Sequence, residues 1–162
     1  MTATVHVRNR QRTAPIQARY LREIARTVLD RVAPGLPGDL GIFLVGEREI
    51  IRLNEQFLRH AGPTDVITFD YQNKSRGGIA RRILHAEIFI CVAEAKLQSR
   101  RFGVRWPDEV VRCVIHGLLH LTGHDDAQPG RRRRMKQEEN RLLKEMAWRF
   151  PWQRTALKPR SG

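Results

Sequence analysis

Three shortages narrow what this chain can be. No apolar run approaches the ~20 residues that cross a bilayer, and the opening MTATVHVRNRQR lacks the apolar centre of a secretory signal. The expectation is a cytoplasmic protein with no membrane partner. Cysteine is nearly absent: Cys91 and Cys113 both lie in apolar runs, without the C-x-x-C spacing of structural zinc sites, and read as reduced core residues. Acid is short as well. Seventeen Asp and Glu against thirty Lys and Arg leave a formal net charge of +13. A field of that sign draws polyanions, nucleic acid first and an anionic membrane surface second. Repeats and linker-like stretches are also missing, so 162 residues read as one domain large enough for a real core.

What is present is an alternation of strand-like and helix-like segments. Thr2–Val7 alternates apolar and polar residues as a half-buried strand does, and Arg8, Arg10 and Arg12 follow as a polar loop. Residues 16–32 carry apolar side chains at helical spacing, and the Pro/Gly run 34–38 ends that helix. Leu40–Val45 predicts a buried strand. Glu47–Arg59 predicts a helix with Ile50, Ile51, Leu53, Asn54, Phe57 and Leu58 on its apolar side. Val66–Tyr71, rich in β-branched and aromatic residues, predicts a third strand. Residues 73–82 predict an exposed loop, Glu87–Cys91 a fourth strand, and Val92–Phe102 a helix ended by Gly103. Arg131–Trp148 predicts a last helix with Met135, Leu142, Leu143 and Met146 inward. The order β-α-β-α-β-β-α-α-α predicts an α+β domain: a small mixed four-stranded sheet covered by about five helices. That domain is expected over residues 1–147, with 148–162 a basic and aromatic tail.

The chemistry concentrates at 106–126, WPDEVVRCVIHGLLHLTGHDD. Pro107 suits a first helical turn, and Asp108 and Glu109 favour the helix dipole there. The helix is apolar almost all round and therefore a core element. Into it the sequence places His116 and His120, four residues apart and so on one face. Gly123 predicts a left-handed stop, after which the turn brings His124, Asp125 or Asp126 back towards the two imidazoles. Two imidazoles plus a third N or O ligand, with one position open, is the pattern of a catalytic zinc site. A pair of core histidines bonded to backbone is the plainer alternative. Gly117 costs about 1 kcal/mol against Ala inside a helix, so close packing is expected there. The spacing mimics metzincin proteases, but they carry Glu directly after the first His, where this chain has Gly117.

Basic residues cluster near this stretch. Arg131, Arg132, Arg133 and Arg134 open the last helix, where cations oppose the dipole and an external anion would relieve them. The tail interleaves Trp148, Phe150 and Trp152 with Arg149, Arg154, Lys158 and Arg160. That pattern suits stacking on single-stranded RNA, or tryptophans that simply pack on the body.

These residues resemble the YbeY family of bacterial ribosomal RNA maturation factors, over roughly Leu40 to Leu143. HGLLHLTGHDD at 116–126 resembles the family's central motif, LNEQFLRHAGPTDVITF at 53–69 its second, AEIFICVAEA at 86–95 its acidic strand and following helix, and MKQEENRLL at 135–143 its C-terminal helix. The resemblance implies a single-strand-specific, metal-dependent endoribonuclease with one zinc per chain. It further implies a role in small-subunit (16S) ribosomal RNA 3′-end maturation and ribosome quality control. The implied partners are ribosomal RNA precursors and, on the protein side, small-subunit proteins or an assembly GTPase. Its first two zinc ligands fall on His116 and His120. Its third is a histidine where this chain has Asp126, a legitimate zinc ligand, with His124 as the alternative. A family arginine aligns with Leu58, and Arg59 beside it becomes the candidate catalytic phosphate contact. The expected chemistry is attack on a phosphodiester by water or by the ribose 2′-OH, with zinc as Lewis acid and arginines neutralising the transition state. Arg131–Arg134 and Arg149 are the expected RNA contacts. The competing readings are a non-catalytic RNA-binding assembly factor with structural zinc, and a zinc metallopeptidase, which the Gly at 117 and the basic charge weaken.

Overall fold

The computed structural model describes residues 2–59, 62, 64–72, 82–152 and 156–158. The order of elements is β1 (Thr4–Asn9), α1 (Ala18–Val32), β2 (Gly38–Val45), α2 (Glu47–Leu53, continued by a π-helical turn Asn54–Leu58), β3 (Val66–Asp70), β4 (Leu84–Cys91), α3 (Val92–Phe102), α4 (Trp106–Leu121) and α5 (Pro129–Arg149). The strands form one sheet in the order β1-β2-β4-β3. β1, β2 and β4 run parallel, and β3 pairs antiparallel with β4. The architecture is the expected α+β domain with a mixed sheet of four strands.

The alternation within the strands sets the two faces. Leu40, Ile42 and Leu44 of β2 and Ala86, Ile88 and Ile90 of β4 point into the main core, which α1, α4 and α5 close. Val45, Phe89 and Cys91 point the other way into a smaller cluster with Ile50 of α2. Every apolar side chain of α4 from Val110 to Leu121 is buried, as a helix without a polar majority face requires. Each large one contributes roughly 1.5–3 kcal/mol by leaving water. Cys91 and Cys113 are free and buried.

Several boundaries differ from the sequence reading. β1 begins and ends two residues later than expected, so Arg8 lies in the strand, opposite Phe43 of β2, and not in a loop. The helix expected to reach Arg59 changes pitch at Asn54, whose Nδ2 donates to the Gly62 carbonyl. The wider turn re-aims the last residues: Phe57 and Leu58, expected inward, are 56% and 42% exposed. Phe57 instead meets Phe69 edge to face. Arg59 ends the turn in the left-handed conformation at φ 54°. In the aromatic tail, Trp152 is fully buried and donates Nε1–H to Asp108 at 2.7 Å, whereas Trp148 is 89% exposed. Of the loop expected at 73–82, only Arg82 falls within the described residues.

Gly117 sits where α4 crosses β4. A Cβ there would lie 2.8 Å from Cδ1 of Ile88 and 3.1 Å from both its Cγ atoms, and Ile88 is itself fully buried. Helix propensity alone favours Ala by about 1 kcal/mol, whereas overpacking a dense core costs about 1–3 kcal/mol. The second effect wins, and Gly117→Ala is expected to lower stability to urea by about 1 kcal/mol, with Ile88→Val restoring part of the loss in the double variant. A Gly117→Ala protein more stable than wild type would show that the contact does not constrain the helix crossing.

Candidate metal centre

Helical spacing places Glu109, Arg112, Cys113, His116 and His120 along one side of α4, the side turned towards the start of β3 and towards α5. The imidazoles of His116 and His120 converge, with their Nε2 atoms 3.1 Å apart and their rings at 76°. Each ring is fixed from behind. Nδ1 of His120 donates to the carbonyl oxygen of His124 at 3.1 Å, an atom that can only accept. Nδ1 of His116 meets Oε2 of Glu139 at 2.9 Å. Both rings thus carry their proton on the outer nitrogen and turn the inner one to a common point, the orientation in which histidines bind metals.

The turn after α4 supplies the third group. Thr122 and Gly123 close the helix through backbone bonds to the last carbonyls, and Gly123 takes the expected left-handed conformation at φ 106°. The chain then reverses and brings Oδ1 of Asp126 to 3.8 Å from Nε2 of His120. One ligand atom from each of His116, His120 and Asp126 lies within 4.8 Å of the others. Donors around a tetrahedral zinc, at bond lengths of about 2.0–2.1 Å, stand about 3.3–3.4 Å apart. The two distances from His120, 3.1 and 3.8 Å, bracket that spacing, and with the third donor pair within 4.8 Å the three residues could hold a divalent ion. His124 meets this centre through its backbone carbonyl. Asp125 turns away to Arg131, at 2.8 Å.

A cleft of about 260 Å³ opens beside the centre. His116, Asp126 and Glu139 line one end, and Asp65, Glu109 and Cys113 the other. Arg112, Arg132 and Lys136 form its basic walls. Arg132 also donates Nε–H to the carbonyl of Asp126. Arg133, Arg134 and Arg149 are exposed, and Arg59 is exposed and does not line the cleft.

The buried charges explain the local electrostatics. Burial opposes a proton on His116, but the hydrogen bond and charge of Glu139 outweigh it and raise the His116 pKa. On His120, burial and the charge of His116 both act downward, and its pKa falls. Burial pushes Glu139 up, yet its bond to His116 and the charges of His116, Lys136 and Arg112 leave it lowered. Burial raises Glu109, whose counter-ion Arg112 stands 3.7 Å away.

Sequence reasoning missed Glu139, Glu109 and Asp65. Glu139 left a trace. It follows Met135 by four residues and precedes Leu142 and Met146 by three and seven, so a carboxylate sits in the buried stripe of α5.

The family model described as "Endoribonuclease YbeY" matches residues 6–147. Curated relatives with that name include one from Acidothermus cellulolyticus, 33% identical over 153 residues that cover 90% of this chain and 92% of the relative. Another, from Bacteroides thetaiotaomicron, is 35% identical over 106 residues, 65% of this chain and 72% of the relative. The solution structure of TM1509 from Thermotoga maritima aligns with a TM-score of 0.63 at 22% identity, over 98% of this chain and 97% of that one, a likeness of fold.

Glu139→Gln keeps the shape and removes the charge that holds His116. Loss of such an outer partner weakens metal binding by roughly 10–100-fold, which competition with a chelating dye would read. In the metal-free protein, the raised pKa of His116 gives a contribution to stability that is full below its ordinary 6.5 and lost as pH rises through the folded value. The lowered pKa of Glu139 gives one that is full above its ordinary 4.5 and lost as pH falls through the folded value. The pair therefore supports the metal-free fold most between about 4.5 and 6.5. Glu139→Gln should lower the His116 pKa by NMR and flatten stability across that window. An unmoved His116 titration would mean the contact does not form in solution.

Proposed function

The chain belongs to the Endoribonuclease YbeY family, and from that membership we propose that it is a zinc-dependent endoribonuclease that cuts single-stranded RNA, with His116, His120 and Asp126 as its metal ligands. The observation that carries this reading is the convergence of two imidazole nitrogens and a carboxylate at the edge of a basic-walled cleft. When bound, the ion supplies Lewis acidity to a phosphodiester. The chain's own groups do the rest. Glu139 and the His124 carbonyl hold the Nδ1 protons and so orient both rings. Arg112, Arg132 and Lys136 line the cleft in which the scissile phosphate sits, and cations so placed oppose the charge that grows on phosphate oxygens in the transition state. Arg59, exposed at the end of the π-helical turn, is assigned to the same task on the family resemblance. Arg131, Arg133, Arg134 and Arg149 are assigned to the flanking backbone, where positive side chains give affinity without sequence preference.

Position 117 cannot serve as a general base. A side chain there would run into Ile88 and the sheet, not the cleft, which removes the group a peptidase of this spacing depends on. The basic surface and the family together favour ribosomal RNA precursors as substrate, trimmed at the 3′ end of the small-subunit (16S) RNA. Quality control of ribosomes, small-subunit proteins or an assembly GTPase as partners, and a cytoplasmic location belong to the same reading.

Wild-type protein prepared without chelator should hold about one zinc per chain by elemental analysis, and Asp126→Ala much less, with His124→Ala close to wild type. His120→Ala should fold and bind RNA yet cut an unstructured RNA at least about a hundredfold more slowly. A folded, metal-poor His120→Ala protein that cuts at the wild-type rate would sink the assignment. A single 2′-deoxy nucleotide at the cleaved position separates the two attacking groups: continued cutting excludes the 2′-OH.

A further inference from the structure

A second basic cleft lies away from the metal centre, between β1 and the first turn of α1. Its volume is about 450 Å³, and His6, Val7, Arg8, Ala18, Arg19 and Arg22 line it. Four of the six are basic and none is acidic. Arg8 and Arg22 make no ion pair among the described residues, and Arg19 reaches Glu23 at 3.9 Å with both side chains mostly exposed, a pair of little energetic weight. Arg22 is the telling residue. Its Nε is buried and has no hydrogen-bond partner among the described residues. A buried donor left without an acceptor costs about 1–3 kcal/mol, more for a charged group, so the half-buried Arg22 guanidinium keeps hydrogen-bonding capacity for an oxyanion that enters the cleft it lines. The helix end agrees with this. α1 is fifteen residues long, begins without a side-chain cap and has no acidic residue in its first turn, so its leading N–H groups add to the positive end of the dipole.

We propose that this cleft is a phosphate site that grips the backbone of single-stranded RNA at a distance from the bond that is cut. Guanidinium groups match phosphate oxygens in pairs, and a helix start accepts the same anion. The inference rests on the endoribonuclease reading for the identity of the strand. The two sites stand at opposite edges of the sheet. β1 is one edge, and Asp65 and Val66, which line the metal cleft, belong to the start of β3 at the other. Three strand spacings of about 4.8 Å separate those edges by roughly 14 Å. The distal cleft therefore anchors and does not cut. It is an open trough and not a closed pocket, which suits a phosphodiester in a continuing strand.

The test uses the full chain treated with chelator, so that RNA is bound and not cut. Anisotropy of a labelled single-stranded oligouridylate is measured over a salt series for wild type, Arg22→Lys, and Arg8→Met with Arg22→Met. Each phosphate contact to a single strand contributes about 0.7 to the slope of log affinity against log salt. The double variant should bind roughly tenfold more weakly at low salt and lose about 1.4 from the slope. Arg22→Lys should regain the slope and not the full affinity. In wild type, the Nε–H NMR signal of Arg22 should shift on adding the oligouridylate, and this readout holds even if the double variant fails to fold. An unchanged Arg22 signal, or an unchanged slope in a folded double variant, overturns the site. A shift with inorganic phosphate but none with oligouridylate overturns RNA as its ligand. Because no cutting is involved, a metal-loaded wild type that binds RNA through Arg22 and never cleaves it would refute the nuclease reading and leave this site standing.

Discussion

Helix α4 is buried against the sheet and against α5, yet it carries Glu109, Arg112, His116 and His120 along one side. Polar groups removed from water need partners, because each one left alone costs as much as a core contact contributes. That requirement fixes much of the surrounding structure. α5 must cross α4 where Glu139 can meet both His116 and Arg112, and Oδ1 of Asn140 accepts from the same Arg112 Nη1 that reaches Glu139. The turn after α4 must be tight enough to return the His124 carbonyl to His120. The C-terminal segment must come back over the start of α4, where the Trp152 indole satisfies Asp108. The site is therefore not added to a finished core. The same bonds that make burial of the helix tolerable set the histidine rings in a metal-binding orientation.

The parts of this arrangement that local pattern encodes were legible in the sequence. The i, i+4 histidines, the glycine stop and the apolar content of α4 are properties of one short segment, and helix geometry turns them into a shared face without further information. Gly117 is legible for a similar reason: a residue so unfavourable inside a helix implies a neighbour too close for a Cβ, and Ile88 is that neighbour. The alternation of the first strand and the apolar, β-branched runs of the others gave the four strands in the same way. Glu139 is different. It lies 23 residues from His116, and nothing local ties the two together. Only its place in the buried stripe of α5 marked it, since a carboxylate there must find a cationic or donor partner. Phe57 and Leu58 misled for a physical reason. The helical repeat assumed 3.6 residues per turn, and the chain inserts a wider turn at Asn54 that carries the aromatic ring outwards.

Charge distribution follows from the shortage of acid. Several carboxylates are committed: Glu49 to Arg10, Glu145 to Arg31, Glu138 to Arg141, Asp125 to Arg131, and Glu109 and Glu139 to Arg112. With seventeen acids against thirty cations, a large remainder of arginine and lysine has no internal counter-ion to take. Exposed cations in that position repel one another and leave the field of the molecule positive beyond its surface. The consequence differs between the two basic clefts. Around the metal centre, Arg112 and Lys136 share their charge with buried carboxylates, so the local field is moderated and specific groups point at the centre. At the β1 edge no carboxylate lines the cleft, and among the described residues its arginines make one ion pair, the long and exposed contact of Arg19 with Glu23. A polyanion drawn by the overall field would meet less balanced charge at that edge than in the cleft beside His116. Charge at the β1 edge can thus be altered without disturbing the bonds of Glu139 to His116 and Arg112, because one is surplus and the other is already balanced within the fold.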